Sequence, residues 1–291
     1  MIVSAHQRIK ISSQSIFSST NESLIKISLF LRIVDITLVT QNETKPTGLS
    51  YCEQELVYHL KTLCHPKIIP IQTYPIPSRI ARYVHFARTI FGKKQESSKD
   101  KIIHLMNQQL AIMLNATTPE AKVVATVYDL YSFIPEYQKT YSWRKKFQYW
   151  LVNKGLRQVD YVITISEAVR KEVSKYLSIP PERVFTFRLG VNHERFKPMR
   201  VKKAVMLKKY SIPQGKKIIL YVGAEKPQKN LEALLRAVRV LKKERDDILL
   251  VKVGSSHDNV MRERHLKLIA ELEIAKNVVF TESIPEEDVP K

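Results

Sequence analysis

The sequence predicts an α/β protein made of two doubly wound parallel-sheet domains, the second of them incomplete. Three observations carry that prediction. Short apolar runs alternate with amphipathic helical patterns, a polar, proline-punctuated stretch over 191–214 divides the alternation into two blocks, and several glycines stand just after predicted strands. Only 7 of the 291 residues are glycine, so their placement at Gly48, Gly190, Gly223 and Gly254 marks where the backbone turns tightly or nears a ligand.

Residues 1–30 are polar and serine-rich without a sustained period, and are expected to be a loose extension. Ile33, Val34, Ile36, Leu38 and Val39 make a first strand, the segment Gln41–Gly48 a turn-rich loop, and Leu56, Leu60 and Leu63 one face of a helix. The rhythm recurs with strands at Lys67–Ile71, Lys101–Leu105 and Lys122–Val127, the last stopping at Tyr128-Asp129. Arg79–Phe91 reads as a basic amphipathic helix. Tyr161–Ile165 is a further strand, after which Ser166 offers an N-cap to a helix with Val169, Val173, Tyr176 and Leu177 in one stripe. Val184–Arg188 is the last strand of this first domain, residues 31–190.

Beyond the linker at 191–214, residues 215–291 repeat the alternation more cleanly. Lys217–Val222 is a strand ending at Gly223, followed by a helix with Leu231, Leu234, Leu235, Val238 and Leu241 on one face. Ile248–Val253 is a strand ending at Gly254, Val260–Ile274 a helix, and Val278–Phe280 a strand.

Composition bounds the function. Lys and Arg number 48 against 28 Asp and Glu, a formal charge of +20, and 44% of residues are hydrophobic, enough to bury cores and to exclude a disordered polycation. The glycine count excludes collagen-like and Gly-rich RNA-binding chains. Two cysteines, Cys52 and Cys64, cannot make a disulfide framework, and no apolar run reaches the ~18 residues of a membrane span, so a cytoplasmic protein is expected. Between Lys139 and Lys243 lie 26 of the 48 basic residues but only 7 of the 28 acidic ones. That asymmetry attracts an anion: a nucleic acid, an anionic bilayer or a phosphorylated small molecule.

Locally, Tyr221–Leu231 carries the most information. A strand ends at Gly223 and a polar loop delivers Lys229 to the first turn of a helix, where free backbone N–H groups and the helix dipole favour an anion. An ordinary turn with a solvated lysine is the alternative. The segment is neither a P-loop nor a dinucleotide fingerprint. Cys52, His59, Cys64 and His65 lie close in sequence but fit no zinc spacing, and no metal site is expected. Ser166 reads as a cap rather than a nucleophile, and His104 and His193 chiefly as structural residues. Arg79–Lys94 and Trp143–Trp150 mix basic and aromatic or apolar residues; each fits either a core-facing stripe with a solvated basic face or a surface for an anionic membrane.

The segments VDYVITISEAVRKEV (159–173), VFTFRLGVNHERFKP (184–198) and LYVGAEKPQKNLEALLRAV (220–238), in that order, resemble the retaining nucleotide-sugar glycosyltransferases of GT-B fold, the glycosyl transferases group 1. Lys45–Leu49, Asp100–His104, Val123–Leu130, Asn277–Phe280 and Ile284–Asp288 extend the resemblance over about residues 31–291. It implies two Rossmann-like domains with the active site in the cleft between them, and no cofactor or metal beyond a nucleoside-diphosphate sugar as co-substrate. Carried over by position, Lys229 would contact the donor diphosphate, Gly223 would let the backbone approach it, and the loop at Gly48 would face the phosphates from the other domain. Tyr128 and Asp129 would occupy the catalytic position, and Ser166, Glu167 and Gly190 the cleft or hinge. The acceptor would be a carbohydrate or a lipid-linked molecule.

Departures from the family pattern are definite. Tyr128 stands where a histidine is usual, Ala224 and Gln228 where an arginine is expected, and Leu189 and Asn192 flank Gly190-Val191 in place of Asn and Asp. The pair of glutamates separated by seven residues that would grip the donor sugar and ribose is expected beyond Phe280, and Glu286 and Glu287 do not fit that role. Three readings follow. The first is a glycosyltransferase acting on a carbohydrate or lipid-linked acceptor. The second is an inactive remnant or subunit that binds a partner, a complementing chain or an anionic membrane. The third, resting on charge alone and lacking any RNP, KH or helix-turn-helix signature, is a basic nucleic-acid binder; no specific nucleic acid is expected as a partner.

Overall fold

A computed structural model describes residues 35–42, 48–63, 66–72, 101–117, 119–139, 141–198, 203–256 and 259–290. The extension 1–30, the loop residues Lys45–Thr47, the basic segment Arg79–Lys94, and Cys64 and His65 lie outside the described residues. The chain divides into two units, residues 1–189 and 190–291.

The first unit holds β1 (Asp35–Asn42), α1 (Gly48–Leu63), β2 (Lys67–Gln72), β3 (Lys101–Leu105), β4 (Lys122–Val127), the single turn α2 (Pro135–Gln138), α3 (Trp143–Leu156), β5 (Tyr161–Thr164), α4 (Glu167–Leu177) and β6 (Val184–Thr186). All six strands are parallel, in the order β2-β1-β3-β4-β5-β6. The chain runs outward from β1 to β2, then restarts at β3 and runs the other way, so the order reverses between β1 and β3. That is the topological switch point, where doubly wound sheets leave a crevice at the strand ends. Pro70 sits on β2, an edge strand, where its missing N–H is tolerated.

Parallel strands buried on both faces need apolar side chains in both directions. Ile103, Leu105, Val123, Ala125, Val127, Val162 and Val184 supply them from the sheet, and Val152, Leu156, Val169, Val173 and Leu177 from the helices. One element was not foreseen in the sequence: a 3₁₀ helix over Gln108–Asn115, N-capped by Asn107, whose side chain accepts from Gln109 N–H. Its Leu110–Leu114 run is buried throughout, and α3 packs on it so closely that a Cβ on Gly155 would lie 1.8 Å from the Ala111 carbonyl oxygen.

The second unit holds α5 (Lys203–Lys209), β7 (Lys217–Val222), α6 (Leu231–Glu244), β8 (Ile248–Val253), α7 (Asn259–Glu271) and β9 (Val278–Thr281), with the parallel order β7-β8-β9. Helix α5 falls within the stretch expected to be a linker. Every residue of the central strand β8 is buried. Ile248 and Leu250 pack with Leu231, Leu235, Val238, Leu268 and Ile269 of α6 and α7, while Leu249, Val251 and Val253 face the other way. By the same alternation Lys252 points with Leu250 toward the helices, a position that a charge occupies only if it is neutralised there. Helix α7 stops at Glu271 rather than running to Ile274, and Glu273 follows with a left-handed φ of 53°. Among the described residues no helix is long and apolar enough to cross a membrane.

Candidate functional site

In the first unit, the residues after β3 and β4 are held together by one side chain. Tyr128 N–H donates to Gln108 Oε1 at 2.9 Å, and Gln108 Nε2 donates to the Asp129 carbonyl at 2.9 Å. Gln108 thereby holds Tyr128 and Asp129 from the outer ends of the pair, and the sequence offered no signal for it because the 3₁₀ helix that carries it lacks helical periodicity. Tyr131 N–H approaches Asp129 Oδ1 at 3.5 Å. Burial, then the Glu53 carboxylate and the Cys52 thiol of α1, raise the Tyr128 hydroxyl well above the ordinary phenol range. Tyr128 is therefore a neutral hydroxyl where an imidazole was expected. Gly48 is the first residue of α1.

His104 is a core residue. It is buried, its Nε2 lies 2.8 Å from Thr126 Oγ1, and burial pulls its pKa down to about 4. Ser166 caps α4, its Oγ accepting from Val169 N–H at 3.2 Å, and Glu167 is paired with Arg170 at 3.6 Å. Gly190 opens the second unit, and a Cβ there would meet nothing within 4 Å. His193 is exposed. Among the described residues no three His, Cys, Asp or Glu side chains cluster as metal ligands.

In the second unit, Gly223 follows β7 and a 3₁₀ turn over Pro227–Lys229 leads into α6. Asn230 at the start of α6 has φ 47°, and its side chain makes no capping bond, so the first N–H groups of the helix receive no cap from it. Lys229 is exposed, and its carbonyl accepts from Tyr221 OH at 3.3 Å. The loops after β7 and β8 meet backbone to backbone. Gly223 N–H donates to Val253 O at 2.9 Å, and Gly254 has φ 122° with the Gly223 carbonyl oxygen 2.7 Å from where its Cβ would stand. No residue with a side chain fits Gly254 without displacing the Gly223 backbone.

Beneath that meeting point lies a charge cluster. Glu225, two residues after Gly223, is fully buried. Its Oε1 accepts from Lys252 Nζ at 2.8 Å and Arg262 Nε at 2.8 Å, and its Oε2 lies 3.0 Å from His265 Nδ1. Lys252 also donates to the Gly254 and Ser255 carbonyls, at 2.5 and 3.3 Å. Arg262 reaches on to Glu282 at 3.1 Å, and its guanidinium stands 4.8 Å from the centre of the Phe280 ring. Burial by itself would raise the Glu225 pKa; the hydrogen bonds from Arg262, Lys252 and His265 outweigh it and hold the carboxyl down to about 2. One carboxylate thus ties the β7–α6 loop to β8, to α7 and, through Arg262, to the residue after β9. Sequence reasoning missed the cluster. Its one visible signal was the lysine at an inward position of an otherwise apolar strand, ILLVKV.

Comparison with known proteins places the chain. The model of Glycosyltransferase Family 4 matches residues 32–195, and that of Glycosyl transferases group 1 matches residues 202–291. YtcC of Bacillus subtilis is 24% identical over 216 residues, covering 71% of this chain and 50% of that protein. The D-inositol 3-phosphate glycosyltransferase of Thermobispora bispora is 30% identical over 132 residues, 43% of this chain and 30% of the other. The chain thus spans half or less of the length of these relatives. Among solved structures, Anabaena Alr3699/HepE in complex with UDP-glucose superposes with a TM-score of 0.63 at 14% identity, covering 88% of this chain and 70% of that one. The two units are Rossmann-like and the fold is of the GT-B class. The chain belongs to Glycosyltransferase Family 4.

Proposed function

We propose that this family member moves a sugar from a nucleoside diphosphate, held by its second unit, to a hydroxyl of a carbohydrate or lipid-linked acceptor, in the cytoplasm. The observation that carries the reading is the loop from Gly223 to Lys229. A glycine-flanked strand end, a helix start without a side-chain cap and an exposed lysine converge where an anion gains both full and partial positive charge. That the HepE neighbour was solved with UDP-glucose supports the choice of a nucleotide sugar.

In this mechanism Lys229 and the first amides of α6 bind the diphosphate more tightly as negative charge builds on it, which lowers the barrier to its departure. The bond between the anomeric carbon and the diphosphate oxygen breaks while the acceptor oxygen bonds to the same face of that carbon. Bonding on the same face retains configuration, and the departing diphosphate oxygen takes the acceptor proton, so charge balances. Tyr128 and Asp129 line the acceptor side, with the Tyr128 hydroxyl a neutral hydrogen-bonding group. No metal ion is given a part. The test is thermal unfolding with UDP, GDP and ADP at millimolar concentration. One of them raises Tm in the wild type and loses most of that effect in Lys229→Ala; protection by none contradicts the reading.

Tyr128 favours a second reading, a nucleotide-sugar-binding subunit without transfer activity, because a neutral phenol replaces the expected imidazole. Nucleotide protection without product formation on any acceptor would select it.

A further inference from the structure

We infer that the outer face of α3 docks on an anionic lipid bilayer. The inner face of this helix is fixed: Val152, Gly155 and Leu156 are buried, Gly155 lies against Ala111, and Asn115 Nδ2 donates to the Leu151 carbonyl at 2.8 Å. The rotation of the helix is therefore set, and what points outward is determined. Trp143, Phe147 and Trp150 fall at i, i+4 and i+7 on that outer side, and they are 73%, 47% and 55% exposed. A surface helix normally presents polar side chains there. Here three of the largest apolar side chains in the molecule form a stripe, continued one turn later by Lys154.

The charge around the stripe specifies the occupant. Between Glu136 and Asp160 there are six basic residues, Lys139, Arg144, Lys145, Lys146, Lys154 and Arg157, and no acidic one. The cations are interleaved with the rings. The Arg144 guanidinium stands 5.4 Å from the Trp143 ring centre and Lys154 Nζ 5.6 Å from that of Trp150, while Phe147 and Trp150 stack with centroids 5.7 Å apart. Tryptophan and phenylalanine backed by lysine and arginine form the pattern of a helix lying in the plane of a bilayer interface, the rings at headgroup depth and the cations on anionic lipids. Phe147 and Trp150 are stacked on each other, which leaves less open ring face for the nucleobases that a nucleic-acid surface would have to stack.

The inference goes beyond sugar transfer and stands without it. Its test exploits composition: the chain contains two tryptophans, and both lie on this face, so intrinsic tryptophan emission reports on it alone. The purified chain is titrated with vesicles of phosphatidylcholine, with and without phosphatidylglycerol, and with a duplex oligonucleotide of equal phosphate concentration. Anionic vesicles blue-shift the emission and float the protein; neutral vesicles bind at least about tenfold more weakly. Trp143→Ser with Phe147→Ser, both exposed, lowers partition about tenfold while circular dichroism is unchanged, and Arg144→Glu with Lys146→Glu does the same and removes the salt dependence. No emission shift with anionic vesicles overturns the inference. So does binding that survives the serine substitutions, or a larger shift with the oligonucleotide than with vesicles.

Discussion

Lys252 Nζ lies 2.8 Å from Glu225 Oε1, and neither side chain has any exposed surface. An isolated charge in that position would be expelled or neutralised; Lys252 is tolerated because Glu225 is there, and Glu225 because Lys252, Arg262 and His265 surround it. Lys252 comes from the middle strand and Glu225 from the loop after its neighbour, and the pair joins the two backbone segments whose meeting depends on Gly223 and Gly254. The loop proposed to face the diphosphate therefore rests on this buried pair.

Glu225→Ala strands Lys252 without its carboxylate. The expected loss of stability is about 3–5 kcal/mol, the range for breaking a buried pair. Glu225→Leu combined with Lys252→Met should recover part of it, since Lys252 is no longer stranded and Arg262 keeps Glu282, while His265 still loses its carboxylate. Urea denaturation of the single and double variants measures both. A single variant within about 1 kcal/mol of wild type would show that the pair does not support the fold.

Acid should weaken the two units in sequence. In the first, His104 is held neutral with its pKa lowered to about 4, whereas unfolded it titrates near 6.5. Between those values the unfolded chain binds more protons, so stability falls as pH drops from about 6.5 to 4. In the second, Glu225 titrates near 2 when folded and 4.5 when unfolded, so its stabilisation is complete above 4.5 and is lost as pH drops toward 2. Each contribution is on the order of 3 kcal/mol. Hydrogen exchange followed against pH should show amides of β3 and β4 losing protection before those of β8. His104→Gln should remove the earlier step; an unchanged profile in that variant would contradict the assignment.

Gly155→Ala tests the packing of α3. In an exposed helix the change gains about 1 kcal/mol from propensity. Here the added methyl would stand 1.8 Å from the Ala111 carbonyl oxygen, so the sign reverses and overpacking lowers stability by about 1–3 kcal/mol. Gly190→Ala, with open space around its Cβ, should stay within about 0.5 kcal/mol of wild type. Thermal unfolding of the two variants side by side is enough to decide.

Much of this architecture could be read from the sequence, because buried parallel strands leave continuous apolar runs. KVVATV and ILLVKV stand at the positions expected, as does KIILYV. Ser166 behaves as the N-cap it resembled. Boundaries moved where pairing or backbone conformation overrode side-chain polarity: β1 continues through the polar Thr40, Gln41 and Asn42 because β2 pairs with it, and α7 ends early at Glu271. The 3₁₀ helix over Gln108–Asn115 was invisible because burial on every side erases periodicity. The Glu225 cluster was invisible for another reason. Its members come from a loop, a strand and a helix up to 40 residues apart, and only the fold brings them together.

The most direct test is calorimetric titration of UDP, GDP and ADP, and of the sugar nucleotide of whichever binds, into the wild type and Lys229→Ala. Lys229 is exposed, so its loss should leave Tm unchanged. The account predicts binding at one site per chain, weakened at least about tenfold by the substitution, as expected for losing a charge-assisted contact to phosphate. Equal affinity in the two proteins, or no binding of any nucleotide to the folded chain, would contradict a donor site at the Gly223–Lys229 loop.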